Sequence, residues 1–137
     1  MNQQPQGYPS LTKSYKGIYP FKIGTTSFIY PDHYIPNVKM LGPYLDEIEL
    51  LLFESTGTDA LPSRSVITEL SMLAKEFDLT FNVHLPTDVS ISDPDPSQQI
   101  QAMETMLRFM ERVEPLCPSA LTLHLPYEEG SFDEYTF

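Results

Sequence analysis

Glu47-Ile48-Glu49-Leu50-Leu51-Leu52-Phe53-Glu54 is the stretch on which the fold turns. It is too apolar to leave one face wet, and near-continuous apolar runs of this length belong to parallel strands covered on both sides. Its phase stays open. If Glu49, Leu51 and Phe53 share a face, Glu54 falls in the loop beyond the strand.

Upstream, Phe21-Lys22-Ile23-Gly24-Thr25-Thr26-Ser27-Phe28 is β-prone, Pro31 and Pro36 hold a loop, and Asn37 to Leu41 makes a brief helical segment stopped by Gly42-Pro43. Downstream, Pro62 and Ser63 open a helix with Ile67, Leu70, Leu73, Ala74 and Phe77 on one face. A third strand runs from Leu79 to Leu85. After the loop Thr87 to Pro94, Asp95 caps and Pro96 starts a long helix whose expected buried stripe is Ile100, Met103, Leu107, Met110 and Val113. Pro115 and Pro118 end it, and Ala120 to Leu125 reads as a fourth strand.

The order β-α-β-α-β-α-β implies a parallel sheet with right-handed crossovers. Nothing resembles the Gly-rich turn of a nucleotide-binding doubly wound sheet. The reading is therefore α/β of the (β/α) TIM-barrel type, truncated to the first four parallel strands and three helices. A complete barrel needs ~250 residues, about twice the 137 present, and the eleven residues after Pro126 do not make four more βα units. Residues 1–19, rich in Gln, Pro, Gly, Tyr and Ser, read as a flexible arm, 20–128 as the half-barrel and 129–137 as an acidic tail. Stopping there leaves apolar residues such as Leu51 or Phe53, and two strand edges, uncovered. Unpaired edges recruit partners, so a homodimer or a complementing C-terminal half-barrel is expected.

Composition narrows the function. Nineteen acidic against eight basic residues give a net charge of -11, which repels phosphate backbones and argues against nucleic acid as a partner. The single cysteine, Cys117, excludes an internal disulfide and suits a reducing cytoplasm. Met1 to Gly7 has neither the basic nor the apolar region of a signal peptide. The longest apolar run, Leu50 to Phe53, is far too short for a membrane span.

Chemistry concentrates at the ends of the last two strands, Asn82-Val83-His84-Leu85-Pro86 and Thr122-Leu123-His124-Leu125-Pro126. Strand alternation turns Val83, Leu85, Leu123 and Leu125 toward helices, and Asn82, His84, Thr122 and His124 the other way. Adjacent strands lie ~4.8 Å apart, so two such imidazoles can share one metal ion. Glu54 and Ser55, Thr25 to Ser27 and Asp88 lie at the same rim, where barrel active sites are built. The bland readings stand beside these. A single buried His is more often a hydrogen-bonded core residue, and Glu54 is as well placed for solvent as for a site. His33 reads as solvent-facing, and Met103, Met106 and Met110 as core filler.

On these residues the chain resembles the xylose-isomerase-like barrel superfamily, which includes sugar-phosphate isomerases, epimerases and type-2 apurinic endonucleases. NVHLP (82–86) and LTLHLPY (121–127) look like its paired metal-binding strands. More narrowly, IGTTSFIYPDHYIPNV (23–38), LGPYLDEIELLLFES (41–55) and LTFNVHLPTD (79–88) are similar to the cobamide-remodelling phosphodiesterases of the CbiR family. The resemblance implies metal-assisted hydrolysis of the nucleotide-loop phosphodiester of a corrinoid substrate, a cobamide. It implies His84 and His124 as ligands of a divalent ion, zinc or manganese, Glu54 as the catalytic carboxylate, and Thr26, Asn82, Asp88 and Tyr127 as substrate contacts. Ligands from later strands are missing, so little activity is expected of this chain alone. A sugar-phosphate isomerase of the same superfamily and a non-catalytic remnant are the alternatives.

Overall fold

The computed structural model describes residues 7–125. Strands β1 (Gly24–Thr26), β2 (Glu47–Leu51), β3 (Thr80–His84) and β4 (Leu121–Thr122) form one sheet in the order β1-β2-β3-β4, every pair parallel. Helices α1 (Tyr34–Leu41), α2 (Arg64–Phe77) and α3 (Pro96–Val113) alternate with them, α3 running into a 3₁₀ turn over Glu114–Leu116. The protein is thus α/β with a parallel sheet and three connecting helices, as its alternating pattern predicts. None of these helices is long and apolar enough to cross a membrane.

Local chemistry sets the helix ends. Ser63 caps α2 by accepting from the Val66 amide, and Asp95 caps α3 by accepting from the Ser97 amide, with Pro96 in the first turn. Asp78 closes α2 in the left-handed region at φ 49°, a conformation a short polar side chain tolerates better than most. In α1, Pro36 sits inside the first turn rather than in the preceding loop, because the third helical residue needs no amide donor. The helix therefore starts three residues before the expected Asn37. Asn37, fully buried, explains the sharp approach. Its Oδ1 accepts from the Tyr30 amide while its Nδ2 faces the carbonyls of Tyr30, Asp32 and His33.

Each connection joins neighbouring parallel strands and steps the same way across the sheet, so right-handed crossovers place all three helices on one face. That face holds the core. Ile48 and Leu50 of β2 with Leu52 just past it, and Phe81 and Val83 of β3 with Leu85 just past it, are buried with Val38, Leu41, Leu70, Met106 and Phe109. The opposite face carries Thr26, Glu47, Glu49, Leu51, Asn82, His84 and Thr122 in register. Cover on both faces of β2, expected from its apolar run, is thus met on one face only. Leu51 is nevertheless buried, while Phe53, just past the strand, is 43% exposed.

One further expectation is corrected. The buried stripe of α3 is Ala102, Met106, Phe109 and Val113, whereas Ile100, Met103 and Leu107 are each more than half exposed. The helix has two apolar stripes, and the one that packs is the one carrying Phe109. Arg112, which donates to the Pro62 carbonyl, and Gln99, which donates to the Asp93 carbonyl, hold that orientation. The described part of the N-terminal arm has no strand or helix, and contacts join the segment before β1 to the rest of the fold. Tyr8 stacks on Tyr30 at 5.0 Å, the Tyr30 hydroxyl donates to the Pro9 carbonyl, and the Gly17 and Ile23 amides both donate to the Asp46 carboxylate.

Phe109→Ala should cost about 3–5 kcal/mol of stability by leaving a cavity, whereas Leu107→Ala should stay within about 0.5 kcal/mol. Urea denaturation of the two variants checks this. Equal losses would mean that the other face of α3 is the packed one.

Candidate functional site

Because the strands are parallel, the carboxyl ends of β3 and β4 meet at one edge. Past the strand ends, the Leu52 amide donates to the His84 carbonyl, the Leu85 amide to the Thr122 carbonyl and the Thr87 amide to the Phe53 carbonyl, all at 2.9 Å. His84 pairs in register with Thr122, so His124 stands one repeat further along on the same face. Its ring leans back over β3. The two rings are 4.7 Å apart between centroids, and His84 Nε2 lies 3.0 Å from His124 Nε2.

The tautomers follow from the acceptors. His84 Nδ1 is 3.0 Å from the Leu85 carbonyl, which can only accept, so Nδ1 carries the hydrogen and the Nε2 of the neutral ring has the lone pair. His124 then donates from its own Nε2. A carbonyl behind one nitrogen, orienting the other outward, is the arrangement usual for a metal-binding imidazole. Two nitrogens bound to one zinc at about 2.0–2.1 Å in a tetrahedral site would be about 3.3–3.4 Å apart, so the pair at 3.0 Å needs to open only slightly to take neighbouring positions on a shared ion. It does so alone. Among the described residues no group of three or more His, Cys, Asp or Glu comes together to hold a metal.

The other expected site residues are dispersed. Glu54 lies beyond β2 in the exposed loop, lining a cleft with Phe28, Tyr34 and Phe53, which settles the phase of the strand. Asp88 accepts from the Ser55 amide at 2.9 Å and its hydroxyl at 3.0 Å, tying the loop after β2 to the loop after β3. Thr26 ends β1 opposite Glu49, and Asn82 is engaged by Glu47 through a 2.9 Å hydrogen bond from its Nδ2. Tyr127 falls outside the described residues.

Sequence reading passed over three residues. Phe53 packs against His84 with centroids 5.0 Å apart and rings nearly perpendicular, walling one side of the pair. Tyr34 donates to the Leu51 carbonyl at 3.0 Å, and burial pushes its hydroxyl up to about 12, so it remains a protonated donor. Glu47, at the opposite end of the sheet, gathers hydrogen bonds from Ser119 (2.6 Å), Thr80 (2.8 Å) and Asn82, with Lys22 Nζ at 3.8 Å. Its alternation with Ile48 was visible, but its partners come from three other segments and no local spacing announces them.

No known protein family, characterised protein or solved structure matches the chain.

Burial raises the pKa of Glu47, but the hydrogen bonds from Ser119, Asn82 and Thr80, together with Lys22, outweigh it and hold the carboxyl below its ordinary 4.5. A depressed folded-state pKa contributes stability that is complete above the ordinary glutamate range and lost as pH falls through the depressed value. Glu47→Gln should therefore be less stable near neutral pH and decline less steeply below pH 4.5. Urea midpoints at successive pH values measure it, and parallel pH profiles for the two proteins would refute the role given to Glu47.

Proposed function

We propose that the chain is the N-terminal half of a (β/α)-barrel hydrolase in which His84 and His124 hold a divalent metal ion, zinc or manganese. The observation that carries the reading is the 3.0 Å separation of the two Nε2 atoms, with His84 oriented from behind by the Leu85 carbonyl. The barrel assignment is supported by the sequential strand order and by helices confined to one face, since a doubly wound sheet reverses its strand order to cover both. The uncovered face is polar along much of its length, which suits a lining turned toward an axis and a site at the carboxyl edge.

The substrate class comes from the resemblance of residues 23–38, 41–55 and 79–88 to cobamide-remodelling phosphodiesterases. The substrate proposed is the nucleotide-loop phosphodiester of a cobamide. When bound, a divalent ion lowers the pKa of a coordinated water and offsets charge on the phosphoryl oxygens. The chain's own contribution is to place the two imidazoles, fix the tautomer of His84 and shield His84 on one side with Phe53. Glu54, from the loop after β2 on the same rim, is the carboxylate proposed for this site, and remaining ligands would come from strands beyond β4.

Zinc should bind the chain at one site, and either His84→Ala or His124→Ala should weaken it at least tenfold, about 1.4 kcal/mol. Calorimetric titration of the three proteins decides this, and unchanged affinity in both variants would remove the basis for a metal centre. Incubated with a cobamide, the chain alone should release no measurable nucleoside, while a protein continuing through the later strands should release it.

The same reading makes association an expectation. Leu121, Leu123 and Leu125 of the β4 edge and Ile100, Met103 and Leu107 of α3 are exposed, and an open edge flanked by apolar surface templates pairing. A second copy, or a complementing half-barrel, would cover them. Sedimentation of the isolated chain should show concentration-dependent association, and a monomer at all concentrations would count against an unfinished barrel.

A further inference from the structure

The helical side of the sheet, opposite the histidines, carries a feature that the metal-binding reading does not use. A groove of about 610 Å³ runs between α2 and α3. Arg64 and Lys75 line it from α2, and Arg108 and Arg112 from α3. These are four of the eight Lys and Arg of the chain, and one lining carboxylate, Glu111, faces them. The other four cations stand against the other eighteen of the nineteen acidic residues. Arg64, Lys75 and Arg108 are exposed, and the ion pairs among the described residues, Lys22 with Glu47 and Lys39 with Glu69, lie elsewhere. Arg112 donates to the Pro62 carbonyl, which fixes its guanidinium without cancelling the charge. Arg108 and Arg112 stand four residues apart on one helix, a spacing at which like charges repel. Gathering cations in this way costs the fold stability, and a bound anion offsets it.

We propose that this groove binds a short acidic peptide segment of a partner protein, extended along α2, with an apolar side chain laid on Met72. The distribution of charge sets the class. Arg64 and Lys75 lie eleven residues apart on α2, about 16 Å at the helical rise of ~1.5 Å per residue. A single phosphate or carboxylate reaches one end of that span, whereas about five residues of extended peptide cover it. Carboxylates along such a segment meet the guanidinium groups in the planar, two-bonded geometry that arginine offers. Between the cations, Met72, 58% exposed, and Pro115 supply apolar surface, and a thioether adapts to varied side chains. A nucleic-acid strand is the poorer fit. It continues past the groove onto a surface where acidic residues outnumber basic ones, and repulsion there offsets what the groove gains. The inference is independent of the histidine pair, which lies on the other side of the sheet.

The test titrates the full chain, in metal-free buffer at low salt, into the peptide Glu-Leu-Glu-Asp-Leu-Glu carrying a neutral nitrobenzoxadiazole dye. Its anisotropy should rise to saturation, and added salt should weaken the binding. The amide counterpart Gln-Leu-Gln-Asn-Leu-Gln should bind at least tenfold more weakly, and the tripeptide Glu-Leu-Glu at least fivefold more weakly. Arg64→Gln and Arg108→Gln, both at exposed positions, should each weaken the acidic peptide at least threefold in variants whose melting is unchanged. Lys13→Gln removes the same charge outside the groove and should leave the affinity within twofold. His84→Ala should do the same, so failure of the metal centre and failure of the groove are read separately. An oligothymidylate of similar length should compete at least tenfold less well than the unlabelled peptide. No saturable binding, equal affinity for the acidic and amide peptides, a loss from Lys13→Gln as large as that from Arg108→Gln, or stronger competition by the oligothymidylate would each overturn the proposal.

Discussion

The register of the parallel ladder is the constraint on which the rest of the structure depends. Leu51 pairs with His84 and His84 with Thr122, and the amides of Leu52 and Leu85 carry the pairing past the strand ends. Side chains alternate with a period of two, so a slip of one residue would turn a whole strand over. His84 would pass beneath the helices and Val83 would take its place on the open face. The core opposes that slip, since Ile48, Leu50, Leu52, Phe81, Val83 and Leu85 would all leave it together. The imidazoles thus owe their position to apolar residues on the far side of the same strands.

The open face divides along its length. At the amino end of the strands Glu47 draws Lys22, Thr80, Asn82 and Ser119 into one network, joining segments beside three strands. At the carboxyl end Phe53 packs on His84 and His84 on His124. Partly buried carboxylates need several donors to remain charged, and Glu47 has them. The first end holds strands together through that network, while at the second the histidines bond one another and the Leu85 carbonyl.

Much of this was legible in the sequence, and the misses have physical causes. The alternation of strands and helices, the pairing of the two His strands and the caps at Ser63 and Asp95 are local signals, each written within a few residues. The choice of packed face on α3 was not local. Ile100, Met103 and Leu107 make as good a stripe as Ala102, Met106 and Phe109, and contacts outside the helix, such as Arg112 to Pro62, distinguish them. Asn37 gave a weaker sign, a polar residue in a Pro-flanked apolar segment, and it proves to be the fully bonded pin of the loop before α1. For Glu54, Asn82 and Asp88 the sequence showed the rim but not the partners that claim them. Asp88 ties to Ser55 and Asn82 to Glu47, while Glu54 lies at the cleft.

The site therefore stands on unequal supports. His84 is held by β2 on one side, β4 on the other and Phe53 at its face, and it is nearly buried. His124 extends from a two-residue strand at the edge of the sheet, with Leu121, Leu123 and Leu125 around it exposed. Edge backbone with little apolar cover is the part of a fold that opens at lowest cost. The 3.0 Å contact between the rings depends on the Leu85 to Thr122 hydrogen bond as well as on the histidines themselves. Any surface that packs on β4 would bury those leucines and restrict His124 at the same time. Covering β4 and ordering the histidine pair are thus one physical event, coupled through a strand too short to hold its position alone.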